Sequence, residues 1–163
     1  MSPLKTLCSL VVLASSLVTA ASLEQGSYLI VSNLRPGNTV RSYTFGTPIF
    51  VTLTRENPGP FQEWKVGSVP NSPENSITLE NVGLKAYAAL DPLDNIISNS
   101  VVTSRAKQVF TLRDTGKNGT YNIVVPGSQK MWTVSNSFPR EDVKIEEATG
   151  SEGQEWKFLR SGN

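Results

Sequence analysis

Histidine is absent from this sequence, and cysteine occurs once in 163 residues, at Cys8. Without histidine there is no Ser-His-Asp or Cys-His nucleophile pair and no imidazole ligand for a metal ion. One cysteine cannot form an internal disulfide or a thiolate zinc site. The formal net charge of +1 gives no electrostatic reason to expect nucleic acid, which is bound by clustered cations. We therefore expect no enzymatic activity, no cofactor, no metal ion and no nucleic-acid partner.

Long apolar runs are confined to the start of the chain. Lys5 precedes the apolar stretch from Leu7 to Val18, about a dozen residues, which is short for a membrane span. Small residues follow it and suit cleavage by signal peptidase. These features predict a signal peptide over residues 1–21 and a secreted, extracellular domain over residues 22–163; the alternative is a buried N-terminal helix or a membrane anchor. No second apolar run follows, so we expect no other membrane contact.

Removing 21 of the 163 residues would leave 142, with 14 Lys and Arg against 14 Asp and Glu because Lys5 is lost. Cys8 is lost as well. A neutral domain of this length hides roughly 68–70% of its unfolded surface, so it can be stable without disulfides. Asn118-Gly119-Thr120 is a sequon that predicts N-glycosylation on a turn. We expect the mature domain to be a monomer.

A short phrase recurs along the chain at a fixed interval. Residues 62–66 read QEWKV, residues 154–158 read QEWKF, and residues 108–112, midway between them, read QVFTL. The three glutamines are therefore 46 residues apart. Each third opens with a similar strand-like triplet: Tyr28-Leu29-Ile30, Ile77-Thr78-Leu79 and Tyr121-Asn122-Ile123. An apolar residue also stands 11 residues before each glutamine: Val51, Ile97 and Val143. This periodicity indicates three related units.

Between these marks the chain consists of short alternating runs separated by turn-forming residues. Val143 and Ile145 alternate with Lys144 and Glu146, for example, and Arg35-Pro36-Gly37-Asn38 is typical of a turn. No segment has a convincing helical period. Three repeats of about 46 residues with four strands each predict an all-β fold, the β-trefoil. One such unit cannot bury its apolar face alone, whereas three units close a barrel around a shared core.

The same repeats predict a core. We expect Trp64, Phe110 and Trp156 to pack as a triad beneath the barrel, and Trp132 to be buried, with sugar stacking as its alternative role. The three repeat glutamines, Gln62, Gln108 and Gln154, are expected to bond local backbone rather than a ligand. Neighbouring carboxylates occur at 141–142 and 146–147, but adjacent strand residues point to opposite faces, which disfavours an acid–base pair.

The mature chain, from about Leu23 to Leu159, resembles fungal secreted β-trefoil serine-protease inhibitors of the cospin type. The residues that carry the resemblance are Gly26–Ile30, Val40-Arg41, 62–66, Tyr121–Ile123, Trp132–Val134 and 154–158. The resemblance implies reversible inhibition of a trypsin-like serine protease through a rigid loop between the second and third strands. Here that loop contains Arg41, Ser42, Tyr43, Thr44, Phe45 and Gly46, and it runs to Pro48.

The specificity residue of this loop is left open by the sequence. Arg41 would suit a trypsin-like pocket, whose buried aspartate pairs with a guanidinium, whereas Tyr43 or Phe45 would suit a chymotrypsin-like pocket. Arg41 can also be interpreted as a solvated strand residue. Two other functions are possible for the chain: a carbohydrate-binding lectin, since ricin-type trefoil lectins share the Gln-x-Trp phrase, or a secreted effector without inhibitory activity. Against the lectin, no Asp–aromatic pair recurs at the 46-residue period.

Overall fold

The computed structural model describes residues 23–53, 59–73, 75–91, 99–117, 119–135 and 140–162. The predicted signal peptide and the sequon residue Asn118 lie outside the described residues. Within these ranges the chain is built from β-strands and two single-turn 3₁₀ helices, Pro60–Gln62 and Glu152–Gln154. No helix in this part of the chain is long and apolar enough to cross a membrane.

The strands fall into three consecutive sets, one for each repeat. The first set is β1 (Gly26–Ser32), β2 (Asn38–Arg41), β3 (Phe50–Leu53) and β4 (Glu63–Ser68). The second is β5 (Ser76–Asn81), β6 (Ala86–Leu90), β7 (Val101–Ser104) and β8 (Phe110–Asp114). The third is β9 (Thr120–Val124), β10 (Lys130–Thr133), β11 (Arg140–Asp142), β12 (Lys144–Glu147) and β13 (Trp156–Arg160). The predicted four strands per repeat are present, and the third strand of the last repeat is divided in two at Val143.

Six of these strands close a barrel. Going round it, β1 pairs with β4, β4 with β5, β5 with β8, β8 with β9, β9 with β13 and β13 with β1, all antiparallel. Each barrel strand is the first or the last strand of a repeat, so each repeat contributes two strands to the barrel. The three opening triplets recognised in the sequence all lie on barrel strands. A closed ring of this kind has no free edge between its strands.

Six of the remaining seven strands form three hairpins, β2–β3, β6–β7 and β10–β12, that meet over one end of the barrel, and β11 pairs with β3. Their meeting point is a cycle of backbone hydrogen bonds. Ile49 N donates to Val101 O at 2.8 Å, Val101 N to Val143 O at 2.9 Å, and Val143 N to Ile49 O at 2.9 Å. This closed cycle marks a pseudo-threefold axis. A six-stranded barrel capped by three such hairpins is a β-trefoil, which confirms the predicted fold.

The cycle also corrects part of the predicted periodicity. Val143 is one of its members, as the 46-residue spacing indicated. The first-repeat member is Ile49 rather than Val51, and the second is Val101 rather than Ile97, which lies outside the described residues. The 46-residue spacing does not hold for the cycle because the distance from its member to the following repeat glutamine differs: 13 residues from Ile49, 7 from Val101 and 11 from Val143.

The core contains the expected aromatic side chains in a different arrangement. Trp64, Phe110, Trp132 and Trp156 are all fully buried. Trp132 lies between two of the repeat-end aromatics, edge-on to Phe110 at 5.5 Å and to Trp156 at 6.1 Å between ring centroids. The predicted burial is therefore confirmed, and Phe110, Trp132 and Trp156 form a row within the core cluster that also contains Trp64. Trp132 is a core residue and offers no face for sugar stacking.

The repeat glutamines have unequal roles. Gln154 is fully buried; its amide donates to Thr133 Oγ1 at 3.0 Å and Glu147 O at 2.8 Å, and its carbonyl accepts from Thr149 N at 2.8 Å. Half-buried Gln108 donates to Val109 O at 3.2 Å. Backbone bonding is thus confirmed for these two. Gln62 instead accepts from the Thr39 hydroxyl at 3.0 Å.

Candidate functional site

The predicted loop between the second and third strands is present and is attached to the neighbouring repeat. It covers residues 42–49, between β2 and β3. Gly46 N donates to both Thr103 O at 3.2 Å and Thr103 Oγ1 at 3.1 Å, and the Thr103 hydroxyl donates in turn to Thr44 O at 3.3 Å. Pro48 forms an isolated bridge with Val102. Strand β7 therefore supports the loop along its length.

The loop displays two aromatic side chains. Tyr43 is 52% exposed and Phe45 is 50% exposed. The Tyr43 ring packs against Phe50 at 5.7 Å and against Phe61 at 5.6 Å between centroids. The Arg105 guanidinium lies over the Phe45 ring, 5.7 Å from its centroid. Thr44 and Gly46 are exposed beside them, whereas Ser42 is fully buried.

Arg41 is the last residue of β2, and its side chain does not point into solvent. The residue is only 7% exposed. Its Nη1 donates to the Tyr43 hydroxyl at 2.9 Å and its Nη2 to Leu53 O at 2.5 Å. The interpretation of Arg41 as a solvated strand residue is wrong, because both faces of this hairpin strand are covered. Its role in a trypsin pocket stays a prediction, and that role would require both hydrogen bonds to break.

A second feature, which the sequence analysis missed, is a cleft in the third repeat. Its volume is about 270 Å³. We call it the third-repeat cleft; its lining residues are Leu34, Thr133, Val134, Ser135, Glu146, Thr149, Ser151 and Gly153. The lining combines a carboxylate and several hydroxyls with two apolar side chains, and the hydroxyls of Thr149 and Ser151 are 3.0 Å apart. It provides hydrogen-bond donors and acceptors around a small apolar wall.

The pseudo-threefold symmetry explains why the cleft is open. Ser42 N donates to Phe61 O at 3.1 Å, and Val134 N donates to Gly153 O at 3.0 Å. Phe61 and Gly153 are 92 residues apart, two repeat lengths, and so are Tyr43 and Ser135. In the first repeat the rings of Phe61 and Tyr43 pack together over this position. In the third repeat a glycine and a serine stand at these positions. Ser135 lines the cleft without a ring to cover it, and Gly153 packs closely against Val134 O.

Each repeat therefore has a different residue directly before its glutamine. Phe61 packs on Tyr43 in the first repeat, as described above. In the second, Lys107 lies over the ring of Tyr87 with its Nζ 5.3 Å from the centroid. In the third, Gly153 has no side chain, and a Cβ added there would lie 2.0 Å from Val134 O. A comparison of positions 61, 107 and 153 along the repeat could have found this difference from the sequence.

The comparisons with known proteins identify the fold. No protein-family model matches the sequence, and no curated protein does. Among solved structures, the designed threefold-symmetric protein ThreeFoil matches with a TM-score of 0.71 and 18% identity over 83% of this chain and 99% of its own. The Macrolepiota procera ricin B-like lectin, solved with lactose, matches with a TM-score of 0.71 and 17% identity over 86% of this chain and 100% of its own.

The Rhizoctonia solani agglutinin is similar to the same degree, with a TM-score of 0.71 and 20% identity over 88% of this chain and 100% of its own. At these identities the likeness establishes the fold and nothing further. The chain is a β-trefoil protein.

Proposed function

We propose that this protein is a carbohydrate-binding β-trefoil without catalytic activity and that the third-repeat cleft binds the saccharide. The observation that carries the proposal is the replacement of the Tyr43 ring of the first repeat by Ser135, which lines the cleft in the third. The replacement leaves a polar cleft on a rigid barrel, at a loop cluster where binding sites are commonly formed.

The chemistry of the lining suits a sugar ring. Saccharides present hydroxyl groups that both donate and accept hydrogen bonds, and C–H faces that pack on apolar side chains. The Glu146 carboxylate accepts two or more such bonds, and the hydroxyls of Ser135 and Ser151 both donate and accept. Leu34 provides an apolar wall. The volume of about 270 Å³ is at the lower end for ligand pockets, so one sugar unit fits rather than a longer chain.

The structural neighbours support this proposal over the alternatives. The fold is shared with a ricin B-like lectin solved with lactose and with an agglutinin. In this chain the support comes from the cleft, because the likeness itself is limited to the fold.

The proposal is tested by screening the purified protein on a glycan array and measuring the affinity of the best sugar by calorimetry. Glu146→Gln should weaken binding by about 10–100-fold, since a hydrogen bond to a charged group contributes about 1.5–3 kcal/mol. Ser135→Tyr should abolish binding by restoring the ring of the first repeat. Glu147→Gln, an exposed neighbour, is the matched control and should change nothing. Absence of any glycan binding, or binding that survives Ser135→Tyr, would reject the proposal.

A second candidate function, inhibition of a serine protease, is favoured by the attachment of the Tyr43–Phe45 loop to strand β7. A loop that is already held in one conformation loses less entropy on entering a protease cleft. The resemblance to cospin-type inhibitors supports the same function. Titration against trypsin, chymotrypsin, subtilisin and a cysteine protease tests it, and full activity of all four at micromolar protein would exclude it.

We also propose that the protein is secreted as a monomer after removal of residues 1–21 and is glycosylated at Asn118. N-terminal sequencing of the secreted protein tests the cleavage. Intact mass before and after glycosidase treatment tests the glycan, and light scattering tests the oligomeric state. Each measurement stands independently of the ligand.

A further inference from the structure

We infer that the surface around the β2–β3 hairpin binds an anionic polysaccharide, one whose sugar rings carry carboxylate or sulfate groups. Three exposed cations and three aromatic side chains form this surface, which we call the cation–ring surface: Tyr43, Phe45, Tyr87, Arg105, Lys107 and Arg140. It is separate from the third-repeat cleft and takes a ligand of different charge. The inference does not depend on either function proposed above.

Two cations of the loop between β7 and β8 lie over aromatic rings. The Arg105 guanidinium is 5.7 Å from the ring centroid of Phe45, and Lys107 Nζ is 5.3 Å from that of Tyr87. Both cations are exposed, and neither forms a salt bridge with a carboxylate of the described residues. Because they are two residues apart, their Cα atoms lie within about 7 Å of each other. A ring holds each cation without neutralising it, so both charges stay available to an anionic ligand.

A third exposed cation, Arg140, lies over a ring next to Tyr43. Its guanidinium is 3.9 Å from the ring centroid of Phe50, and the Phe50 ring packs on that of Tyr43. The buried guanidinium of Arg41 donates to the Tyr43 hydroxyl at 2.9 Å. This hydroxyl finds no acceptor for its own proton among the described residues, so it can donate to a ligand oxygen. The charge of Arg41 polarises the hydroxyl and strengthens that hydrogen bond.

The charge of this surface is positive, although the whole chain has a formal net charge of only +1. In the strand register two carboxylates lie directly opposite ring residues of this area, Glu80 opposite Tyr87 and Asp142 opposite Phe50. The cations number four, the three that lie over rings and Arg41. The excess of positive charge complements a ligand that carries several carboxylate or sulfate groups.

The loop that carries Phe45 is fixed to the strand that precedes Arg105. Gly46 N donates to Thr103 O at 3.2 Å and to Thr103 Oγ1 at 3.1 Å, and the Thr103 hydroxyl donates to Thr44 O at 3.3 Å. Phe45 and Arg105 are therefore held together before any ligand arrives. A surface that is already ordered loses less entropy on binding.

The exposed rings favour a sugar polymer among anionic ligands. Tyr43 is 52% exposed and Phe45 50%, so each leaves part of its ring open to solvent. The C–H face of a sugar packs on such a ring while the carboxylate or sulfate groups of the polymer meet the cations. The acidic side chains of a peptide have no such face. Nucleic acid is less suited to four cations, because its affinity comes from neutralising many phosphates.

The test measures binding of the purified protein to polygalacturonate, dextran sulfate and neutral dextran by calorimetry at low salt. We expect binding to the two anionic polymers only, and an affinity that falls as salt screens the exposed charges. The double variant Arg105→Ala/Lys107→Ala should weaken binding about 10-fold, since each exposed ion pair contributes up to about fivefold. Arg113→Ala/Lys157→Ala removes the same charge from exposed positions on β8 and β13. This matched control should change the affinity far less.

Two further variants test the ring and the hydroxyl at constant charge. Phe45→Ala should weaken polysaccharide binding about 2–10-fold, the usual contribution of an aromatic contact. Tyr43→Phe keeps the ring and removes the donor, and it should weaken binding about 10-fold, because a hydrogen bond to a charged group is lost. Thermal melts establish that every variant is folded.

Absence of binding to both anionic polymers would overturn the inference, and so would equal weakening by the two double variants. If polyglutamate or a single-stranded thymidine oligonucleotide binds as tightly, the surface is not selective for sugars and the inference is wrong. If Glu146→Gln abolishes polysaccharide binding, the acidic sugar occupies the third-repeat cleft, so this inference fails while the proposed function stands. Polysaccharide binding that survives Ser135→Tyr supports the cation–ring surface even where the cleft binds no sugar.

Discussion

Phe61 and Gly153 accept the same backbone hydrogen bond in two repeats, from Ser42 N at 3.1 Å and from Val134 N at 3.0 Å. The two positions therefore share this hydrogen bond, while the backbone of Val134 comes closer to Gly153 than a side chain would allow. The Phe61 ring packs with Tyr43 in the first repeat, whereas Ser135 takes the place of Tyr43 in the third and lines the third-repeat cleft. The first and third repeats therefore differ in their side chains around a hydrogen bond that both keep.

The close approach at Gly153 predicts that this position tolerates no other residue. A Cβ there would lie 2.0 Å from Val134 O, and that oxygen belongs to backbone. Gly153→Ala should therefore destabilise the domain by about 1–3 kcal/mol or more, as overpacking does. Urea unfolding measures the change. Gly59→Ala is the matched control, since a Cβ at Gly59 meets nothing within 4 Å. Equal stability of the two variants would contradict the geometry.

The unequal surroundings of the repeat glutamines lead to a second prediction. Gln154→Ala should cost about 1–3 kcal/mol, because the side-chain amide of fully buried Gln154 bonds Thr149 N, Glu147 O and Thr133 Oγ1, and all three lose a partner. Gln108→Ala removes one bond to an adjacent carbonyl at a half-buried position and should stay within about 0.5 kcal/mol. Urea midpoints of both variants, at constant slope, test this. If Gln108→Ala lowers the free energy of unfolding as much as Gln154→Ala does, then burial of the glutamine does not determine how much it contributes to stability.

Much of the fold could be predicted because the repeat marks lie on the barrel. Tyr28, Ile77 and Tyr121 open barrel strands, and strands β4, β8 and β13 begin within two residues of the repeat glutamines. These strands pair in a fixed register, and an insertion within one of them would move its buried side chains to the other face. The 46-residue spacing is therefore kept on the barrel strands. The segments between the third strands and the repeat glutamines vary in length, so the members of the threefold cycle, Ile49, Val101 and Val143, do not follow the 46-residue spacing.

The candidate sites were less predictable because they depend on contacts across repeats. The burial of Arg41 follows from Tyr43 and Leu53, which cover it from the loop and from β3. Strand alternation alone places a residue on one face and says nothing of what covers that face. The cleft is lined by side chains from distant parts of the chain, Leu34, Ser135 and Ser151 among them, and nothing in the sequence brings these residues together.

The row of core aromatics predicts a large loss of stability at its centre. Trp132 is fully buried and contacts both Phe110 and Trp156, so Trp132→Ala should cost about 3–5 kcal/mol. Leu159→Ala, at a half-exposed position of the same barrel, should cost less than about 1 kcal/mol. Thermal and urea unfolding measure both. If Trp132→Ala lowers the free energy of unfolding no more than Leu159→Ala does, the row of aromatic side chains is not a main contributor to the stability of the core.

The raised pKa of Tyr121 predicts that the free energy of unfolding falls at alkaline pH. Burial, then the negative charge of Asp114 and the proximity of Tyr28, raise the pKa of the Tyr121 phenol above its usual value of 10.0. Below that pH the phenol is neutral in both the folded and the unfolded chain. As the pH rises above it, the unfolded chain loses this proton first and is stabilised, so the free energy of unfolding falls until the folded-state pKa is passed.

The measurement is urea unfolding from pH 8 to roughly 11.5 for the full chain and for Tyr121→Phe, which has no proton to lose. Above pH 10 the free energy of unfolding should fall more steeply for the full chain than for Tyr121→Phe. Asp114→Asn should reduce the difference without removing it, because burial is the larger cause. Its amide oxygen can still accept the bond from Gly116 N that Asp114 Oδ1 accepts at 2.7 Å, so the turn is preserved. Parallel pH profiles for the full chain and Tyr121→Phe would mean that Tyr121 titrates alike in both states.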